Sequence, residues 1–108
     1  MNLPTEIFGN VIVVHTPDEL GGEHTDEFKA YLPTLERHLV VLDLDSTEML
    51  DSRGLTALLD VQDQLREMGG EVKIAAANVT NRKILEITRL DQQLEVFESV
   101  VDAVRSFR

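Results

Sequence analysis

The densest group of chemically capable residues is the run Asp45-Ser46-Thr47-Glu48-Met49-Leu50-Asp51-Ser52-Arg53-Gly54-Leu55. It ends where a helix is about to begin, with a carboxylate at Asp51, a hydroxyl at Ser52 and a glycine at Gly54. The spacing supports two readings. In one, Asp51 or Ser52 takes a free backbone N–H of the first helical turn, a cap contributing about 1 kcal/mol, and Gly54 simply fits. In the other, the Ser52 hydroxyl receives a phosphate, because N–H groups and the helix dipole there favour an added charge of about −1.5 to −2. Gly54 would then let a partner's backbone approach.

Other constellations are thinner. Asp43, Asp45, Glu48 and Asp51 could hold a divalent cation, as in a signalling receiver phosphorylated on aspartate. That site also asks for an acid pair after the first strand, which Asp18 and Glu19 could supply, and a lysine at the end of a late strand. The last strand runs instead into Glu98-Ser99. His15, His24 and His38 lack metal-ligand spacing and read as solvated or packing residues. Gly21-Gly22 and Gly69-Gly70 lack the lysine of a phosphate-binding loop and read as turns. Asp43, inside an apolar run, is expected to hydrogen-bond neighbouring backbone. With no cysteine, disulfides, thiolate metal sites and cysteine nucleophiles are excluded, which suits a reducing compartment.

The elements that must position these residues follow from periodicity. Val11 to Val14, Leu39 to Leu44, Val72 to Ala77 and Leu94 to Phe97 are short apolar runs that suit buried strands, and Glu6 to Phe8 is a further candidate. Leu55, Leu58, Val61, Leu65 and Met68 recur at steps of three and four, drawing one stripe down a helix that Gly69-Gly70 stops. Glu23 to Leu32 predicts an earlier helix that Pro33 ends or kinks. Asn78 is placed to cap a helix through Leu90 that carries Ile84, Leu85 and Ile87 inward, and Ser99 to cap a last one with Val100, Val101, Val104 and Phe107 on its apolar side. Strands alternating with helices imply crossover connections. The expected class is α/β, a mostly parallel mixed sheet of four or five strands with about four helices in one domain over residues 1–108. In such sheets, sites gather beyond the carboxyl ends of the strands.

Length and charge agree with one water-soluble domain. The chain has 108 residues, 43% hydrophobic and 28% charged. Ten Lys and Arg against 20 Asp and Glu give a net charge of −10, the wrong sign for holding a nucleic acid backbone. Residues 1–54 carry 11 acids and three bases, a balance of −8, so a basic partner would prefer that half. The apolar runs are far shorter than the roughly 20 residues of a spanning helix, so membrane insertion is not expected and the cytoplasm is the expected location.

Several stretches together resemble one family. Leu42-Asp43-Leu44, Met49 through Leu55, Leu58-Leu59, Gly69-Gly70-Glu71-Val72, Ile84 through Asp91 and Val96-Phe97-Glu98-Ser99 are similar to the STAS domain, the fold of bacterial anti-sigma factor antagonists. The resemblance covers about residues 10 to 105. It implies a non-enzymatic partner-switching regulator without a cofactor or metal. Ser52 would be the phosphate acceptor, with Asp51, Arg53 and Gly54 around it. Unphosphorylated, such a protein binds an anti-sigma factor that is also an ATP-dependent serine kinase; phosphorylated, it lets go, and a serine phosphatase resets it. The expected binding residues are Asp18, Glu19, Glu23, Thr25, Asp45, Thr47, Glu48 and Ser52.

Three positions depart from the family pattern. Antagonists often carry Gly-x-Leu-Asp after the second strand, its aspartate belonging to the phosphorylation site, whereas here Asp18-Glu19-Leu20-Gly21 puts Gly21 in its place. Glu23 or Asp18 could substitute. Arg53 fills a slot usually given to a small residue, where it could pair with a phosphate or obstruct a kinase. Arg89 stands where glycine commonly ends the third helix, and a left-handed arginine there costs on the order of 1 kcal/mol. The missing acid favours an alternative, a phosphorylation-independent adaptor of a transporter or stress-signalling complex.

Overall fold

The structure, a computed structural model, describes residues 1–107. Strand β1 (Thr5–Phe8) turns back at Gly9, φ +61, and pairs antiparallel with β2 (Val11–His15). Everything after that crossing is parallel. Between β2 and the next long strand come β3 (Glu19–Leu20) and helix α1 (Thr25–Tyr31), followed by a 3-10 turn at Leu32–Thr34 that contains Pro33. Strand β4 (Leu39–Asp43), the short β5 (Met49–Leu50) and helix α2 (Ser52–Glu67) follow. Then come β6 (Glu71–Ala75), α3 (Val79–Ile87), β7 (Glu95–Phe97) and α4 (Val100–Arg105). The main sheet has the order β1-β2-β4-β6-β7, mixed only at its antiparallel edge, and β3 and β5 form a separate parallel pair.

Alternation along the strands divides the core in two. Ile12, Val14, Val40, Leu42, Val72 and Ile74 face α1, α2 and α3, meeting Phe28, Leu58, Val61, Leu65 and Leu85 in one buried cluster. The intervening residues Val11, Val13, Val41 and Ala75 face α4 and pack against Ala103. Because side chains alternate across a strand, each of β2, β4 and β6 feeds both clusters.

Caps and stops fall where the side-chain chemistry puts them. Asn78 Oδ1 accepts from the amides of Thr80 and Asn81, and Ser99 Oγ accepts from that of Asp102. Gly69 leaves α2 at φ +81. Arg89 has φ 61, the only positive φ on a non-glycine among the described residues.

Three apolar side chains expected inside are outside. Ile87 is 78% exposed and Val101 56% exposed. Each lies two residues, about 200° of helix, from the residue of its helix that reaches the core, Leu85 and Ala103 respectively. Met68 lies past the last helical residue of α2 and is also exposed. Conversely, the charged Lys73 of β6 is buried. Its ammonium donates to Ser106 O at 3.1 Å and Ser106 Oγ at 2.8 Å, pairs with Glu95 at 3.1 Å, and lies 4.2 Å from the Phe107 ring centre. A cation so surrounded is compensated, and it fastens the end of α4 to the sheet.

Candidate functional site

The site is built from two loops that the short parallel pair brings together at the carboxyl end of the sheet. Asp18 O accepts from both Glu48 N, at 2.8 Å, and Met49 N, at 3.0 Å, and Glu19 and Leu20 then stand opposite Met49 and Leu50. Strands of two residues have no period to read, so neither was expected.

Asp51 joins the same two loops at the start of α2. As N-cap, its Oδ1 accepts from Gly54 N at 2.9 Å, while Oδ2 accepts from Gly22 N at 3.1 Å. A Cβ on Gly21 would lie 2.3 Å from the Asp51 carboxyl, closer than any contact allows. Gly21 is therefore not a simple loss of an acid. The Asp51 carboxylate occupies the space that a side chain at position 21 would need.

Gly54 requires a correction. It is buried, and a Cβ there would fall 1.9 Å from the carbonyl oxygen of Leu20. The backbone it admits is the chain's own β3, not a partner's. Thr47 and Thr25, expected to touch a partner, are also buried. Thr47 Oγ1 donates to Pro17 O at 2.6 Å and shares a hydrogen bond with the Thr16 hydroxyl, and Thr25 Oγ1 donates to Gly22 O at 3.1 Å. Both hold the loops in shape from inside, because a threonine beside a buried carbonyl is more useful as a donor than as surface.

The acids expected to act together are dispersed. Asp45 Oδ1 accepts from the amides of Ala77, at 2.8 Å, and Asn78, at 3.2 Å, tying its loop to the start of α3. Asp43 accepts from Asp45 N at 3.0 Å and from His15 Nδ1 at 2.8 Å, while His15 Nε2 meets Glu6 at 2.8 Å. The Glu6 hydrogen bond raises the His15 pKa above its ordinary 6.5, partial burial lowers it, and Asp43 adds to the rise. Among the described residues, no group of three or more His, Asp or Glu could hold a metal ion. A receiver-like cation site does not form from these acids.

Asn81 carries no sequence signal of its role, yet it is the buried brace of this junction. Its side-chain amide donates to Leu44 O at 3.0 Å and Thr47 O at 2.9 Å. An asparagine near a helix start reads as a cap or a solvated residue, so only the fold reveals its reach.

What remains on the surface is a coherent set. Asp18, Glu19, Glu23, Asp45, Glu48, Ser52 and Arg53 are exposed, as is Met49, 61% open and the one large apolar side chain among them. Ser52 is the first residue of α2, and both oxygens of the preceding carboxylate are already committed to backbone amides. With Arg53 and Thr56 it lines a cleft of about 520 Å³ between α1 and α2. Lys29 reaches into that cleft from α1, 3.4 Å from Asp60 and 3.8 Å from Asp26.

Against known families, the STAS domain model matches residues 2–103. The chain belongs to the STAS domain family. A relative from Thermotoga maritima, named a candidate anti-sigma factor antagonist, is 22% identical over 109 residues, covering 97% of this chain and 96% of its own. A crystal structure of a candidate anti-sigma factor antagonist from the same organism aligns with a TM-score of 0.82 at 22% identity, over 96% of this STAS chain and 92% of that one. The Bacillus cell fate determinant SpoIIAA, solved in its phosphorylated form, aligns with a TM-score of 0.68 at 16% identity, over 99% of this chain and all of its own. At these identities the solved structures establish the STAS fold. No helix among the described residues is long and apolar enough to cross a membrane.

Proposed function

We propose that this STAS domain is an anti-sigma factor antagonist, a non-enzymatic regulator that works by switching partners in the cytoplasm. The observation that carries the reading is the exposed Ser52 hydroxyl at the first position of a 16-residue helix, beside a cleft and next to a fully committed Asp51. An anti-sigma factor with serine kinase activity binds the unphosphorylated face formed by Asp18, Glu19, Glu23, Glu48, Met49 and Ser52, which frees the sigma factor. The kinase transfers the γ-phosphoryl group of ATP to Ser52 Oγ, releasing ADP while the hydroxyl proton passes to a base of the kinase. Helix α2 tolerates the new charge because its N-terminus favours anions. The partner does not, because a face fitted to a neutral hydroxyl must now desolvate a dianion beside Asp51. A loss of about 3 to 4 kcal/mol lowers affinity by a factor of several hundred. A serine phosphatase returns the hydroxyl by hydrolysis, releasing inorganic phosphate.

Intact-mass measurement after incubation with the partner kinase and ATP tests this. One added phosphate that disappears in Ser52→Ala supports the switch, and no transfer, or transfer that persists in Ser52→Ala, overturns it. A phosphorylation-independent adaptor would instead keep its partner affinity in Ser52→Asp.

A further inference from the structure

A second cavity lies away from Ser52, on the opposite face and at the other end of the parallel strands. A sheet of five strands spaced about 4.8 Å apart is roughly 19 Å wide, whereas α4, with six residues, is about 10 Å across. Helix α4 cannot roof the whole face. Between it and the β1–β2 edge runs a groove of about 680 Å³, within the range of sites for small ligands. Phe8, Val11, Leu39, Val101, Val104 and Phe107 line it, with Phe8 47% exposed and Val101 more so.

Charge gives this groove a sign. The chain carries 20 acids, yet none is among the described lining residues, and the single charge there is that of Arg105. Apolar walls with one cation at the rim complement a molecule with an apolar body and a single anionic head. We propose that the groove between α4 and the β1–β2 edge binds an aliphatic carboxylate, its chain lying along Phe8, Val104 and Phe107 and its head at the Arg105 guanidinium. Nothing in this site depends on Ser52.

Decanoate, below its micelle concentration, is the probe, followed by amide chemical shifts of the full chain. Saturable shifts confined to Phe8–Val11, Leu39 and Val100–Phe107 are expected. Arg105→Gln should weaken decanoate by about three- to fivefold, the contribution of an exposed ion pair, while leaving binding of the uncharged decanol unchanged. Val101→Glu, at a position exposed enough to spare folding, should weaken decanoate by about tenfold. Equal binding of decanoate to wild type and Arg105→Gln, binding of decyltrimethylammonium as tight as that of decanoate, or shifts elsewhere would overturn the assignment. So would sedimentation showing that a second copy of the chain covers the groove.

Discussion

Asp51 and Gly21 compete for one volume: a Cβ at position 21 would sit 2.3 Å from the Asp51 carboxyl carbon. The acid that the family pattern puts on the first loop and the capping acid at the start of α2 therefore exclude one another in this arrangement. Gly21→Asp is expected to push Asp51 out of its cap and break its bond to Gly22, costing about 1 to 2 kcal/mol. In an Asp51→Ala background the same substitution should cost much less. A double-mutant cycle by urea unfolding measures the difference, and additive effects would contradict the shared volume.

Asn81 predicts a larger loss. Asn81→Leu removes one of the two donors on Leu44 O, which keeps the Thr47 amide at 3.0 Å, and takes away the Asn81 donor on Thr47 O, stranding that carbonyl at about 1 to 3 kcal/mol. The urea midpoint should fall with an unchanged slope, and partner affinity should fall with it, because the loop bearing Glu48 and Met49 loses its brace.

His15 gives the fold a pH dependence with a definite sign. Its folded pKa is raised above 6.5, chiefly by Glu6, so the charged form is favoured by folding. That stabilisation is complete below about pH 6.5 and disappears as the pH rises through the folded value. Unfolding midpoints measured across this range should decline with pH in the wild type, and His15→Gln should flatten the decline. A wild-type midpoint indifferent to pH in that window would remove the role given to Glu6.

The acidic surface makes partner binding sensitive to salt. Asp18, Glu19, Glu23, Asp26 and Glu48 are all exposed around the junction. Screening shortens from about 10 Å at 0.1 M salt to about 3 Å at 1 M, so association with a basic partner should slow and weaken as salt rises. Titrations at several salt concentrations that give one affinity would reduce these acids to a solubilising coat.

The sequence was legible where a local rule governs. Val11–Val14 and Leu39–Leu44 announce strands by composition, Asn78 and Ser99 announce caps, and the left-handed Arg89 follows from the glycine it replaces. Ile87 and Val101 were misplaced because an apolar residue does not declare its angle on a short helix. At the site, the strand–loop–helix order around Ser52 was readable, but the roles of Gly54, Thr25 and Thr47 were not. Their partners, Leu20 O, Gly22 O and Pro17 O, are set by how two loops meet, which pairs residues far apart in the chain. Lys73 shows the same limit, since nothing beside it in sequence reveals that Ser106 waits 33 residues away.

The bonds that hold the junction span long stretches of chain: 29 residues from Gly22 to Asp51, 32 from Asp45 to Ala77 and 37 from Leu44 to Asn81. Closing such loops costs entropy that assembly of the sheet offsets, so the frame around Ser52 is complete in the folded domain. A partner that reads this surface thereby reads completion. Such a partner would favour the finished fold over a chain still assembling.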